Sequence, residues 1–489
     1  MSATDTPIPT PIQDDRHGAA SRADAASRAD AGIAEPPPPS SPAGPVGEEV
    51  PIRVPPRRAY GRYAQTVRFV SNPLGSSLAA RRDFGDVWQL HLLSRREPFV
   101  ATCHPDHVRS LFTAAPHDAP SLTGESPLRP IVGPNSVLTA IGERHMRQRK
   151  LLLPPFHGEA VQRYIEMIET VAEREIDSWP VGAEFSLAPR MQVVTLDVIM
   201  GGVFGIVGAP RRGSAELRLR EGIRRMLSAS TKPVYQLIEL HNAGRREPRG
   251  ILRAALALVD RHVYAVIRAR RAEGSDGGRH DILSLLLEAR DEDGIALTDR
   301  ELRDELMTLV LAGHETTANS LAWTFERLLR TPAAYDRLRE RTRAGDDSYV
   351  EATINEGMRN RPVVPMIVRM VKRRWRLGDY VVPAGTPVAV SIAALHHRAD
   401  VYPDPLEFRP ERFLGRKPGT YTWIPFGGGI RRCLGATLAM AEQRVVLRAI
   451  ATRTDLAAPD PTPERARQRN VTMIPDRGGH VLVVSKRRK

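Results

Sequence analysis

Apolar residues recur three and four positions apart over long stretches of the chain, around 143–153, 158–178, 190–206, 251–273, 298–330, 333–343, 349–359 and 435–452. Few glycines or prolines interrupt them, so the pattern predicts helices. Alternation with a period of two is confined to short runs, Trp375–Val382 before Pro383-Ala384-Gly385 and Val388–Ile392 after it, which read as a small hairpin-rich sheet. There is no internal repeat and no strand–helix–strand rhythm. The expected fold class is mostly α with a small β-rich part (α+β).

The strongest predicted helix starts at Thr298, because Thr298-x-x-Glu301 is a capping box and no proline follows until Pro332. A helix of that length crosses a whole domain. Its centre reads Ala312-Gly313-His314-Glu315-Thr316-Thr317, where glycine and β-branched polar residues weaken helix propensity in what should be a buried stretch. Such a weak spot marks either a packing constraint or a site.

Residues 1 to about 50 depart from this pattern. They are Ala, Pro, Ser, Asp and Gly with almost no large apolar side chain, including Pro36-Pro37-Pro38-Pro39, and read as a disordered tail before a domain over 51–489. The two cysteines, Cys103 and Cys433, are far apart and outside any C-x-x-C spacing, which gives no disulfide framework or zinc knuckle and fits a reducing cytoplasm. No run approaches eighteen uninterrupted apolar residues, so a transmembrane segment is not expected. Lys and Arg exceed Asp and Glu by 71 − 57 = 14 charges, which suits an anionic membrane or an acidic protein. No helix-turn-helix, zinc finger or RNA-binding aromatic motif accompanies that charge, so nucleic acid is not an expected partner.

The chemistry concentrates in Pro425-Phe426-Gly427-Gly428-Gly429-Ile430-Arg431-Arg432-Cys433-Leu434-Gly435. Three consecutive glycines let the backbone lie against a flat object and turn its N–H groups inward. Cys433 stands just before the helix expected from Gly435, where the positive end of the helix dipole favours a thiolate. A thiolate beside donated N–H groups is a soft ligand suited to iron. At Phe426, Gly429, Arg431, Cys433 and Gly435 the segment matches F-x-x-G-x-R-x-C-x-G and resembles the haem-binding loop of the cytochrome P450 family.

Further motifs agree with that resemblance, which extends from about residue 55 to the C-terminus. The Ala312–Thr317 segment looks like the family's oxygen-binding helix centre: Ala312, Gly313 and Thr316 share one face with room for dioxygen, and Glu315 is placed to relay protons from water. The alternative for Thr316 is a hydroxyl bonded back to its own helix. Glu356-x-x-Arg359 could be a routine surface pair across one helical turn. In the family it is buried and joined by an arginine of the kind found in Pro410-Glu411-Arg412-Phe413, supporting the cysteine loop. By the same resemblance His145, Arg149, Arg369 and Arg431 hold the haem propionates, and Gly427 and Gly435 belong to the haem cradle.

The resemblance implies the cytochrome P450 fold, one non-covalently held haem b, and Cys433 as axial ligand to the iron. It implies a monooxygenase that uses O2, electrons from a ferredoxin- or flavodoxin-type donor with its reductase, and a small-molecule substrate. Val363, Val364, Met366 and Ile367 suggest that the guest is apolar, a fatty acid, terpenoid or polyketide. The family's pocket walls also come from about 115–140, 222–250 and the Thr298 helix. The same fold hosts peroxygenases, isomerases and dehydratases, and a non-catalytic haem sensor would need a signalling module that the sequence lacks.

Overall fold

The computed structural model describes residues 41–487 apart from 157, 209, 231–237, 239–241, 243–244, 246 and 275–278. All eight periodic stretches form helices: Gly142–Leu152, Glu159–Asp177, Leu187–Phe204, Gly250–Glu273, Asp299–Leu328, Pro332–Arg343, Ser348–Asn360 and Ala436–Arg453. Asp299–Leu328 runs without interruption through its Gly-Thr centre. Its start is the expected box, with the Glu301 N–H donating to Thr298 Oγ1 at 3.2 Å and the Thr298 N–H donating to Glu301 Oε2 at 2.9 Å. The helix is buried along most of its length and packs along Leu187–Phe204. The latter is the one described helix long and apolar enough to cross a bilayer, and its own Leu196, Val203 and Phe204 are buried in the core.

Among the described residues, the helices of seven or more residues that periodicity did not expose are Arg62–Ser71, Pro73–Phe84, Pro105–Thr113, Ala215–Ser230 and Ile282–Glu288. Two of them hide behind a proline that reads as a breaker but occupies the first helical turn, where no N–H is needed. Asn72 and His104 cap these two by accepting the Gly75 and Asp106 N–H groups.

Among the described residues the β-rich part is four small sheets. The largest orders its strands Val87–Leu90, Phe99–Thr102, Pro387–Ser391 and Met366–Met370, with its two central strands parallel. Phe99–Thr102 and Pro387–Ser391 are buried along their whole length, which explains why alternation missed the first of them. The expected hairpin is Trp375–Leu377 with Tyr380–Val382. A second hairpin, Ala466–Arg469 with Thr472–Pro475, packs against the central helix.

The tail expectation needs a correction at its boundary. Residues 1–40 lie outside the described residues, but Ala43–Pro45 forms a strand antiparallel to Trp375–Leu377, and Ser41 Oγ lies 2.8 Å from His107 Nε2. Strand pairing uses backbone groups, so a segment poor in apolar side chains can still join a sheet edge.

Candidate active site

The cysteine loop is shaped by contacts that its glycines alone make possible. Gly427 and Gly429 adopt φ of 66° and 62°, a region costly for other residues. Gly428 is fully extended, yet a Cβ there would stand 2.2 Å from the Phe112 ring, and one on Gly429 would stand 2.3 Å from the Phe112 carbonyl oxygen. The second and third glycines therefore admit the Pro105–Thr113 helix rather than a flat ligand. The Cys433 N–H donates to the Phe426 carbonyl at 2.9 Å and closes the loop.

Cys433 lies deep among protein atoms, which pushes its thiol pKa up, against the Gly435 N–H and the nearby Arg149 and Arg432 charges, which pull it down. Its surface is nevertheless exposed, whereas Cys103 is covered completely. A side chain both deep and uncovered borders a cleft. Gly435 precedes the first residue of Ala436–Arg453, so the sulfur sits where the helix dipole and a backbone donor favour a thiolate.

The four basic groups expected at the rim converge there. His145 is 2% exposed and its pKa falls to about 4 through burial and the charges of Arg431, Arg149 and Arg369. Burial and the neighbouring Arg369 and Arg149 bring Arg431 down to about 10, and burial alone does the same to Arg369. Arg369 stacks over Phe112 at 5.5 Å. Arg149 donates to the Arg432 carbonyl at 2.8 Å, and Arg431 donates to the carbonyls of Val137 at 3.2 Å and of Ala140. None of the four has a carboxylate partner among the described residues. Three arginine cations gathered beside a neutral His145 without a counterion are strongly destabilising, so the cleft fits a dianionic guest such as a dicarboxylate porphyrin.

On the central helix the structure divides residues that the sequence grouped. Ala312 is exposed and Thr316 partly so, although both lie mid-helix in the core. A Cβ on Gly313 would stand 2.5 Å from Ile199 Cδ1, so this glycine serves the close approach of Leu187–Phe204. Thr316 Oγ1 donates to the Ala312 carbonyl at 2.6 Å. That bond uses its only proton, and leaves the oxygen lone pairs to accept. Glu315 turns toward the C-terminal hairpin, where Arg469 at 2.8 Å and Thr472 at 3.0 Å both donate to its Oε1. His314 is buried and its pKa falls to about 4, through burial first.

The Glu356–Arg359 pair is no surface bridge. Both side chains are fully buried, joined at 2.6 and 2.7 Å. Arg359 also donates to the carbonyls of His396, Pro405 and Glu407, Glu356 accepts the Arg409 N–H at 2.8 Å, and Arg412 approaches it at 3.6 Å. His396, next in this chain of contacts, accepts the Ile424 N–H at 2.9 Å and so holds the entry to the cysteine loop. Nothing in the sequence marked His396, Arg469, Phe112 or Ile199, because each acts on a partner remote in the chain.

A mostly helical fold with a deep, uncovered cysteine and a cluster of arginines without carboxylate partners is the arrangement the sequence motifs led one to expect of a haem-binding protein. The cytochrome P450 family model matches residues 61–482. A Mycobacterium tuberculosis protein assigned as cytochrome P450 137 is 36% identical over 436 residues, covering 87% of this chain and 88% of its own. One assigned as cytochrome P450 135B1, also from Mycobacterium tuberculosis, is 36% identical over 442 residues, covering 89% and 92%. Among solved structures, the retinoic acid-bound cyanobacterial CYP120A1 superposes with a TM-score of 0.73 at 22% identity, covering 88% of this chain and 99% of its own. The cytochrome P450DA haem domain gives 0.74 at 23%, covering 89% and 98%. The chain belongs to the cytochrome P450 family, and is accordingly a monooxygenase dependent on haem b.

Proposed function

We propose that Cys433 is the axial ligand of the haem iron, and that Arg149, Arg369, Arg431 and His145 bind the propionates. The convergence of four basic groups without a carboxylate beside an uncovered cysteine carries this reading. When bound, the haem supplies reductive activation of O2 and oxygen insertion, with the thiolate donating electron density to the iron. The chain supplies the ligand, the cleft and the protons. The reduced carbon monoxide complex should show the strongly red-shifted Soret band of thiolate ligation. Cys433→His should abolish that band and Cys103→Ser should keep it; a band that survives Cys433→His overturns the assignment.

Thr316 and Glu315 deliver protons in this reading, with divided roles. The Thr316 hydroxyl, its proton committed to Ala312, keeps its lone pairs free to accept and would so orient a water in the cleft. Among the described residues both donors named above reach Glu315 through Oε1, leaving Oε2 to exchange protons with water. Removing one hydrogen bond worth about 1.4 kcal/mol lowers the occupancy of that water about tenfold. Thr316→Ala should therefore consume cofactor at near the parent rate while diverting electrons from product to hydrogen peroxide. Equal coupling in parent and variant would leave the hydroxyl a purely structural bond.

The substrate is an apolar organic molecule, supported by the Val363–Ile367 segment, whose Ile367 side chain lies 3.9 Å from a Cβ built on Gly427. Part of the 222–250 wall lies outside the described residues. Retinoic acid, bound by CYP120A1, is a carboxylic acid with a long apolar body of the same general kind. Electrons come from a ferredoxin- or flavodoxin-type protein that docks on the cysteine side. There a groove of about 490 Å³ is lined by Val161, Trp423, Phe426, Arg432 and Arg444, with exposed Lys417 nearby in the chain. Arg432, Arg444 and Lys417 outnumber Glu351 at this groove, and a net positive mouth steers an acidic donor.

A further inference from the structure

The Arg62–Ser71 helix carries an apolar stripe that the fold does not cover. Its inner face is fixed, with Gln65 and Phe69 buried. Its outer face exposes Tyr63 by 66%, Val67 by 63% and Val70 by 44%, spaced at i, i+4 and i+7. Leu93, 43% exposed, lies alongside, its N–H donating to Thr66 Oγ1 at 2.9 Å. Ile52 and Val54 are exposed in the extended segment leading into the helix.

The charge around this stripe has one sign. From Pro51 to Arg82 the chain holds seven arginines and no Asp or Glu. Arg62 lies over the Tyr63 ring and Arg68 over the Tyr60 ring, at 5.6 and 4.6 Å, which holds both guanidinium groups along the segment. Among the described residues Arg53, Arg57, Arg62 and Arg68 have no ion pair. At the two ends of this stretch, Glu48 is paired with Arg374 and Asp83 with Arg58 and Arg82.

We propose that this face docks the protein reversibly on an anionic lipid bilayer. A single stripe of apolar side chains is too narrow for the core of a stable protein interface. It does match the depth to which an amphipathic helix lying in the interface plane enters the headgroup boundary. Tyr63 has the apolar body and polar tip of an interfacial anchor. The arginines meet lipid phosphates by charge and by forked hydrogen bonds.

Sedimentation of the full-length haem-loaded protein with vesicles tests this. Vesicles of mixed phosphatidylglycerol and phosphatidylcholine should carry the protein down at low salt, and pure phosphatidylcholine should leave it in solution. Val67→Asp, with Val70→Asp, should lower partitioning by about tenfold, and Arg57→Ser or Arg68→Ser by about fivefold each. These side chains project into solvent, so the thiolate-type carbon monoxide spectrum and thermal unfolding should stay as in the parent. If the protein stays in solution with phosphatidylglycerol vesicles, as an acidic protein partner for this face would require, the proposal is overturned. Equal sedimentation of the parent and the Val67→Asp, Val70→Asp variant overturns it as well.

Discussion

Glu356→Gln should leave little or no haem-loaded protein. The substitution keeps the volume but removes the charge that Arg359 holds at 2.6 and 2.7 Å in a fully buried setting. Removing one partner of such a pair strands the other, at a cost of about 3–5 kcal/mol. Arg412 is stranded too, since two of its nitrogens find hydrogen-bond partners nowhere else among the described residues. Against a typical total stability of about 5–15 kcal/mol, this is a large fraction. The damage is also directed: Arg359 holds the His396 carbonyl, and His396 holds the Ile424 N–H that leads into the cysteine loop. Haem content per folded protein should fall further than helix content measured by circular dichroism. If the variant binds haem fully with an unchanged unfolding midpoint, the network is not the support of the loop.

Acid should unfold the protein steeply between about pH 6.5 and about pH 4.5. Burial lowers His107 and His396 to about 3 and His145 and His314 to about 4, and drives His397 well below its ordinary value. Each is neutral in the fold and takes up a proton on unfolding once the pH drops below the unfolded value. Their stabilisation is complete above about 6.5 and is lost as the pH falls toward the folded values. Glu305 and Glu442 act the other way. Burial raises both, Glu442 to about 8, so they keep their protons in the fold and gain stability in the same window. His104 and His262 are lowered as well, and Asp260 is raised, so the histidines still outnumber the carboxyls, unfolding takes up protons across this window, and stability falls as the pH drops. His396 adds a structural consequence, because protonating Nε2 removes the acceptor of the Ile424 N–H. Denaturant midpoints measured through this window should shift steeply, and His107→Gln should flatten the slope by about one proton. A flat profile would mean that these histidines are hydrated.

The local motifs could be read without the fold. The frame from Phe426 to Gly435, the capping box at Thr298 and the periodicity of eight helices lie in contiguous windows, where spacing alone sets which groups face one another. The short helices behind Pro73 and Pro105, and the fully buried Phe99–Thr102 strand, were hidden because their patterns are identical to those of turns and buried helices.

By itself, then, the sequence determined a mostly helical chain and the loop, helix centre and Glu-Arg pair that carry its chemistry, because these depend on neighbours within a few residues. What the pieces press against was decided only by the tertiary structure. Gly428 is small for Phe112 and Gly313 for Ile199, and Glu315 meets Arg469 across 154 positions. The strand at Ala43–Pro45 exists because a sheet edge at Trp375–Leu377 is there to receive it. Four bases share one cleft and a Glu-Arg pair loses all its water for the same reason: burial and charge separation are set by packing among segments far apart in the chain.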